Sequence, residues 1–325
     1  MKKKIALIAG GDSGEYSISI QSATMVSAQI DPSKYDLYLV VIKGRNWTYK
    51  HPELGEIQVD KNDFSLNIAN KKIVFDLIFN LIHGSPGENG KLQGYFDMIG
   101  LPYTSSNAIT SAITFNKAYC NHIVSSTGIA VSKSVHLFKK HLCDQETLLQ
   151  HIHLPVFVKP NQGGSSVGMS KVSLANELPL ALEKAFAEDD EVLVEEYIKG
   201  RELTCGAFEF EGEIMRFPVT EIISKKEFFD FDAKYNKAFA DEITPADIPD
   251  ELKRKIQETS TKLYRILNCK GMVRFDYIAN EDEIWFLEVN TIPGMSDTSI
   301  IPQQIQVMGY SPKEFYSMII EEALR

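Results

Sequence analysis

A strand that is apolar on both faces has to be covered on both faces, and Lys4 to Ala9 reads as one. It ends in Gly10-Gly11-Asp12-Ser13-Gly14-Glu15, after which Ser17 to Gln29 carries helical periodicity. Tyr35 to Ile42 and Val74 to Ile82 read as two further strands of the same kind. This β-loop-α-β opening predicts an α/β fold with a doubly wound parallel sheet, whose functional loops lie at the strand C-termini. The glycines do not fall as G-x-G-x-x-G, and Ile42-Lys43-Gly44 offers no ribose-binding acid, which argues against a nicotinamide site. The third strand runs into His83-Gly84-Ser85-Pro86-Gly87-Glu88-Asn89-Gly90, where the glycines let backbone approach a ligand closely. Leu101 to Thr104 reads as a short strand, and a boundary is expected near Ser106.

A second unit begins at Asn116-Lys117 with a helix to Thr127, Gly128 as its C-cap, and a strand from Val131 to Phe138. Pro155 to Pro160 is a strand carrying Lys159, followed by Asn161-Gln162-Gly163-Gly164-Ser165-Ser166-Val167-Gly168 and a strand from Met169 to Val172. The P-loop pattern is absent; a glycine-rich hairpin over phosphates is the other solution, with N–H groups cradling the anion and a strand lysine supplying charge. A plain β-turn is the competing reading. A helix from Leu174 to Glu188 leads to Val192-Leu193-Val194-Glu195-Glu196-Tyr197-Ile198 and then Gly200-Arg201-Glu202, an acid-tipped strand that an adenine and ribose contact could use, although taken singly a plain strand end is the stronger reading. Thr204 to Phe210 and Glu213 to Thr220 form a hairpin. Residues 224–241 mix aromatics and lysines without clean periodicity and read as a lid. Pro249 to Leu267 and Lys313 to Arg325 read as helices. His136, His151 and His153 read as surface histidines.

Residues 271–302 hold the richest chemistry. They read as two strands joined at Asn280 to Glu283, then a Gly/Pro loop. Arg274 shares a face with Asp276, and Glu288 with Asn290; Val273, Phe275, Tyr277, Leu287 and Val289 make the core face. An odd or bulged turn sets Asp276 opposite Glu288, whereas a four-residue loop pairs Asp276 with Leu287; the apolar partition favours the first. Two carboxylates and an amide oxygen on one rigid face suit a hard cation such as Mg²⁺. A solvated edge hairpin is the plainer alternative.

The net charge of −10, with no basic stripe, excludes a nucleic-acid partner. The N-terminus MKKKIALIAGG has too few apolar residues for a signal peptide, and no run approaches the ~20 that a membrane helix needs. Cys120, Cys143, Cys205 and Cys269 are far apart, as reduced thiols of a cytoplasmic protein would be.

With these pieces in order, the chain resembles the D-alanine–D-alanine ligases of the ATP-grasp superfamily. The resemblance covers nearly the whole length, through GGDSGEYSIS, HGSPGENGKLQG, VKPNQGGSSVG, VEEYIKGRE, FFDFDAKY and VRFDY…LEVNTIPGMSDTS. It implies an ATP-grasp fold: an N-terminal substrate-binding α/β domain over 1–105, and two α+β domains sandwiching ATP, a central one over 106–196 and a catalytic, metal-binding one over 197–325. Lys117 and Lys159 would bind the phosphates under Gly164, Ser166 and Val167, while Glu195, Glu196, Tyr197, Ile198 and Glu202 would hold adenine and ribose. Asp276, Glu288 and Asn290 would carry two Mg²⁺ or Mn²⁺ ions. Glu15, tied to Ser165 and Tyr235, would grip the first D-alanine's ammonium beside His83, and Lys234 would reach the transferred phosphate from the lid. Arg274 and Gly294 would stabilise the oxyanion, and Ser299 and Ile300 would take the second D-alanine's carboxylate. The implied activity is ATP-dependent ligation of two D-alanines through an acyl phosphate, for peptidoglycan precursors, in a cytoplasmic enzyme expected to be a homodimer. D-lactate or D-serine is the alternative acceptor. The chain departs from the family pattern at Tyr16, Asn89 and Phe229.

Overall fold

The computed structural model of the protein describes residues 2–141, 144–224, 240–280 and 283–325, whose strands form three sheets. The first contains β1 (Lys3–Gly10), β2 (Tyr35–Lys43), β3 (Asn46–His51), β4 (Gly55–Asp60), β5 (Ser65–Ile68), β6 (Lys71–Ile73) and β7 (Leu77–Asn80), in the order β6-β5-β4-β3-β2-β1-β7. β1 pairs in parallel with β2 and β7, and α1 (Tyr16–Gln29) makes the crossover from β1 to β2. Ile5 to Ala9 are fully buried, as a strand apolar on both faces requires. Beyond β2 the sheet continues as an antiparallel meander to β6, which the apolar pattern had left unassigned. The third parallel strand is shorter than Val74 to Ile82, and Leu101 to Thr104 reduces to one bridge between Ile78 and Tyr103.

Next come α2 (Lys91–Ile99), α3 (Ala108–Phe115) and α4 (Lys117–Ser126). The side chains of Asn107 and Asn116 cap the last two by accepting the N–H groups of Thr110 and Tyr119. After β8 (Ala130–Val131), the second sheet is built from β9 (Ser134–Phe138), β10 (Val156–Pro160), β11 (Ser170–Val172) and β12 (Glu191–Glu196), ordered β11-β10-β12-β9. α5 (Gln145–His151) and α6 (Leu178–Glu188) cover its apolar face through Leu148, Leu178, Ala185 and Phe186.

The third sheet holds β13 (Arg201–Phe210), β14 (Glu213–Ser224), β15 (Ala240–Ile243), β16 (Val273–Ala279) and β17 (Ile284–Asn290), in the order β15-β14-β13-β16-β17-β8. α7 (Asp250–Ile266), α8 (Ile300–Val307) and α9 (Pro312–Ala323) complete the described elements. The strand expected over Val131 to Phe138 is therefore divided. Ala130–Val131 pairs with β17, Ser134–Phe138 pairs with β12, and Ser132-Lys133 crosses from one sheet to the other. The chain crosses again between β12 and β13. The two crossings are hydrogen-bonded together: the Ser132 hydroxyl donates to the Glu196 carbonyl at 2.5 Å, and the Glu196 N–H to Lys133 at 2.9 Å.

Among the described residues no helix is long and apolar enough to cross a membrane. Cys120, Cys205 and Cys269 are buried free thiols, and Cys143 lies outside the described residues. His151 and His153 are exposed, but His136 is not a surface histidine: its Nε2 lies 2.8 Å from Glu191 Oε2, half-buried.

Candidate active site

The β16–β17 hairpin pairs Arg274 with Asn290, Phe275 with Val289 and Asp276 with Glu288, then jumps to Tyr277 with Phe286. Asp276 thus faces Glu288, as the apolar partition predicts, and a β-bulge achieves it. The bulge also corrects one assignment. Leu287 leaves the core face and lines the cleft, half-buried, while Phe286 packs into the core in its place. Asp276 is buried and accepts from Arg274 Nε at 2.8 Å, Arg274 Nη2 at 2.7 Å, Thr204 Oγ1 at 2.5 Å and Asn290 Nδ2 at 3.0 Å. Burial works against the charge on Arg274, but Asp276, and then Glu288 and Glu242, outweigh it and hold the guanidinium firmly protonated.

Glu15 stands just before α1, and the Ser165 hydroxyl donates to its Oε1 at 2.5 Å, which joins the first βα loop to the glycine-rich loop. Ser165 and Ser166 both sit in the left-handed region, with φ of 55° and 58°, a conformation that non-glycine residues keep only where the surroundings impose it. At Gly164 an added Cβ would lie 2.8 Å from Glu15 Oε2, so the close approach itself calls for glycine. Lys117 Nζ donates to the Gly163 carbonyl at 2.7 Å and lies 3.9 Å from Glu288 Oε2. Lys159 and Glu195, both buried, pair at 2.5 Å across β10 and β12. Glu196 turns its carboxylate to His153, whose N–H and Nδ1 lie at 2.9 and 2.8 Å.

His83 is buried, and burial pushes its pKa down against the opposing pull of Glu15. The neutral ring donates Nδ1–H to the Ile292 carbonyl at 2.8 Å; Nε2 then accepts from the Ser22 hydroxyl, 3.4 Å away. Glu88 next to it takes the Gly84 N–H at 2.7 Å and the Ile292 N–H at 3.2 Å. Burial, then the charge of Glu15, pushes its pKa up to about 7 despite those two donors. Ser299 precedes α8 without capping it by its side chain; its hydroxyl lies 2.7 Å from that of Ser296 and accepts the Ser296 N–H at 3.1 Å. A Cβ at Gly294 would meet the Ser299 hydroxyl at 2.8 Å.

These groups line two adjoining cavities. One, of about 700 Å³, contains Glu15, His83, Arg274, Asp276, Glu288, Asn290, Gly294, Ser299 and Ile300. The other, about 430 Å³, lies between the second and third sheets and contains Lys159, Ser166, Val167 and Glu195 to Ile198, with Phe157, Met169 and Leu287 as apolar walls. Lys117, Gly164, Ser165, Glu202 and Glu288 border both. Every described candidate residue thus lines one cavity or the other. Lys234 and Tyr235, and the lid expected over 224–241 except for its ends, lie outside the described residues. Sequence reasoning missed Thr204, which holds Asp276 from the neighbouring strand, and Glu88, whose signal was an acid inside a glycine-rich strand terminus.

Residues 4–106 match the family model for the D-ala D-ala ligase N-terminus, and residues 123–321 that for the D-ala D-ala ligase C-terminus. The chain is 47% identical to a D-alanine–D-alanine ligase of Parabacteroides distasonis, over 100% of this chain and 98% of the relative. It is similar to the crystal structure of the VanG D-Ala:D-Ser ligase from Enterococcus faecalis, with 32% identity, a TM-score of 0.87, and coverage of 99% of this chain and 100% of that one. It is also similar to the D-alanine–D-alanine ligase of Bacillus anthracis complexed with ATP, with 28% identity, a TM-score of 0.79, and coverage of 99% and 98%.

Proposed function

The chain belongs to the D-alanine–D-alanine ligase family, and we propose from that premise that its two cavities divide one reaction between them. The slot between the second and third sheets takes ATP. Its apolar walls suit the adenine ring, and Glu202 at its border suits the ribose. The Tyr197 N–H is committed to Pro155 at 2.9 Å, so of that pair the base-facing amide falls to Ile198. Lys159, held in place by Glu195, and Lys117, held by Gly163, bring two ammonium groups to the phosphates under the serine-bearing loop. The oxygen-only set of Asp276, Glu288 and Asn290 fits Mg²⁺ or Mn²⁺, which would neutralise phosphate charge there.

The larger cavity takes the amino acids. Glu15, positioned by Ser165, holds the first D-alanine's ammonium, with neutral His83 beside it. That D-alanine's carboxylate is a poor electrophile until it accepts the γ-phosphoryl group of ATP. The amine of the second D-alanine, its carboxylate on Ser299 and the Ile300 N–H, then attacks the acyl carbon. The C–N bond forms, the acyl C–O bond to phosphate breaks as the oxyanion collapses, and the proton lost from nitrogen leaves with inorganic phosphate. Arg274 and the Gly294 N–H stabilise that oxyanion. Lys234 and Tyr235 act from the lid, which keeps water from the acyl phosphate. The product is a peptidoglycan precursor made in the cytoplasm, by a homodimer.

The observation that supports this reading is the Glu15–Ser165 bond, which ties a carboxylate to the glycine-rich loop in a cavity that Arg274 also lines. The test is phosphate release with ATP, Mg²⁺ and D-alanine, with L-alanine as control and product analysis in the presence of D-lactate or D-serine. D-alanine-dependent release with dipeptide as the main product is expected. Release with L-alanine alone overturns the reading, and D-alanyl-D-serine as main product moves it to the activity that the VanG structure's name carries.

A further inference from the structure

Of the four residues that α8 buries, Ile300, Ile301, Gln304 and Ile305, one is polar. Gln304 is fully buried, and it follows Ile300 by about one helical turn, so the two share a face of the helix. What Gln304 meets is a break in the third sheet. β14 contains Pro218, which has no N–H to donate, and the pairing of β13 with β14 slips there. Cys205 faces Val219 and Ala207 faces Arg216, so Gly206 is passed over. The Gly206 N–H donates to Gln304 Oε1 at 3.1 Å. The other end of the amide donates to the Thr204 carbonyl at 3.3 Å and to Thr220 Oγ1 at 3.1 Å. A Cβ at Gly206 would lie 2.8 Å from Gln304 Oε1 and 2.7 Å from the Phe217 ring, so the socket holds the amide only because glycine lines it. The three isoleucines hold α8 against the core but fix its rotation and height only loosely, since apolar contact is non-directional. The amide satisfies all three partners in one position, and a slip of about 1 Å stretches its bonds beyond hydrogen-bonding length.

We propose that Gln304 is a positioning residue for the acceptor. By seating its amide in the break at Gly206 it sets the register of α8, and with it the place where Ser299 and the Ile300 N–H hold the second D-alanine's carboxylate. This rests on the reading of the cavity as a D-alanine ligation site. A helix that packs out of register spares ATP and the first D-alanine, whose groups come from other elements. It carries the acceptor's carboxylate to the wrong place, and the amine then misses the acyl carbon.

The test uses Q304M, which keeps the length and bulk of the side chain and removes its hydrogen bonds. Parent and variant are given ATP, Mg²⁺, hydroxylamine, and D-alanine below saturation of the acceptor site. Hydroxylamine attacks the same acyl phosphate through its nitrogen, giving D-alanyl hydroxamate and inorganic phosphate, which takes the proton lost from nitrogen. It has no carboxylate for Ser299 to hold. Both products draw on one intermediate, so their ratio depends neither on the folded fraction nor on ATP or donor binding. The ratio of dipeptide to hydroxamate, counted by mass spectrometry, is expected to fall about tenfold in Q304M, the loss of one charge-assisted hydrogen bond to the acceptor's carboxylate. If neither enzyme yields hydroxamate, the KM for D-alanine at the acceptor site is expected to rise about tenfold while the KM for ATP stays. If Q304M does not fold, T220V, which removes one of the three partners at nearly constant volume, is expected to move the same readout in the same direction. An unchanged readout in a folded variant shows that Gln304 only stabilises the core and overturns the proposal. So does an equal fall in both products, which traces the loss to Asp276 through Thr204. A parent that makes no dipeptide at all refutes the ligase reading instead.

Discussion

Replacing Gly164 by alanine isolates the contact on which donor binding is proposed to depend. The backbone at Gly164 is outside the left-handed region, so alanine is unstrained there and restricts the unfolded chain, a gain of about 0.4–1 kcal/mol. The obstacle is Glu15, whose two carboxylate oxygens would lie 2.8 and 3.1 Å from the new methyl. Ordinary contact begins near 3.4 Å, so Oε2 must retreat by about 0.6 Å and Oε1, which accepts from the Ser165 hydroxyl at 2.5 Å, by about 0.3 Å. The end of a flexible side chain moves easily, so the fold is spared and the functional geometry is not. The bond to Ser165 is lengthened rather than broken, so only part of the roughly 1.5–3 kcal/mol of a hydrogen bond to a charged group is lost, a rise of up to roughly tenfold in the KM for D-alanine at the donor site. Steady-state phosphate release against D-alanine concentration measures it, beside a thermal melt of the same preparation. A variant that melts like the parent and keeps the parent KM refutes the argument, since the Glu15–Ser165 bond would then be dispensable.

Arg274→Ala is expected to lower kcat by about 10² or more while leaving the KM for ATP nearly unchanged, the cost of one oxyanion donor; parent-like turnover at an unchanged melting temperature counts against that role. Glu88, raised from 4.5 to about 7, binds its proton more tightly in the native state than in the unfolded one. Its contribution is therefore whole below pH 4.5 and is lost as pH rises through 7, about 3 kcal/mol in all. Urea unfolding at pH 5 and pH 8 should show that this decline is absent from Glu88→Gln, and an identical decline in both refutes it. Glu195→Ala leaves the Lys159 ammonium buried without its partner and is expected to cost about 3–5 kcal/mol; an unshifted denaturation midpoint contradicts this.

Much of the site was legible because the residues that bear chemistry sit on strands with strict alternation. Asp276 and Glu288 declared a common face through the apolar residues between them, and the structure supplies the bulge that makes both true. The same bulge is why Leu287 was misassigned: alternation counts residues and cannot see an unpaired one. Gln304 and Gly206 escaped notice for a different reason. They come together only through the order of strands in the third sheet and the helix laid across it, which no local pattern encodes. The meander from β3 to β6 is short-stranded and half-exposed, so its periodicity is weak. The helix α3 went unassigned, because the asparagine that caps it, Asn107, serves equally well in a turn.

The paired crossings between the second and third sheets have a mechanical consequence. From Val131 to Ser134 the chain has only three peptide steps, at most about 11 Å of reach, and the return through 197–200 starts from Glu196, which is bonded to Ser132 and Lys133. Two short leashes fastened together at one edge forbid the sheets to slide apart there and leave rotation as the permitted motion. Displacement in a rotation grows with distance from its axis. The part of the slot beside Tyr197 and Ile198 lies nearest that axis, whereas the glycine-rich loop at the far end of β10 lies farthest from it, and any rotation must break its bonds to Lys117 and Glu15. A nucleotide's base would be seated near the pivot and its phosphates at the moving jaw, so closure does its work where the bond is made.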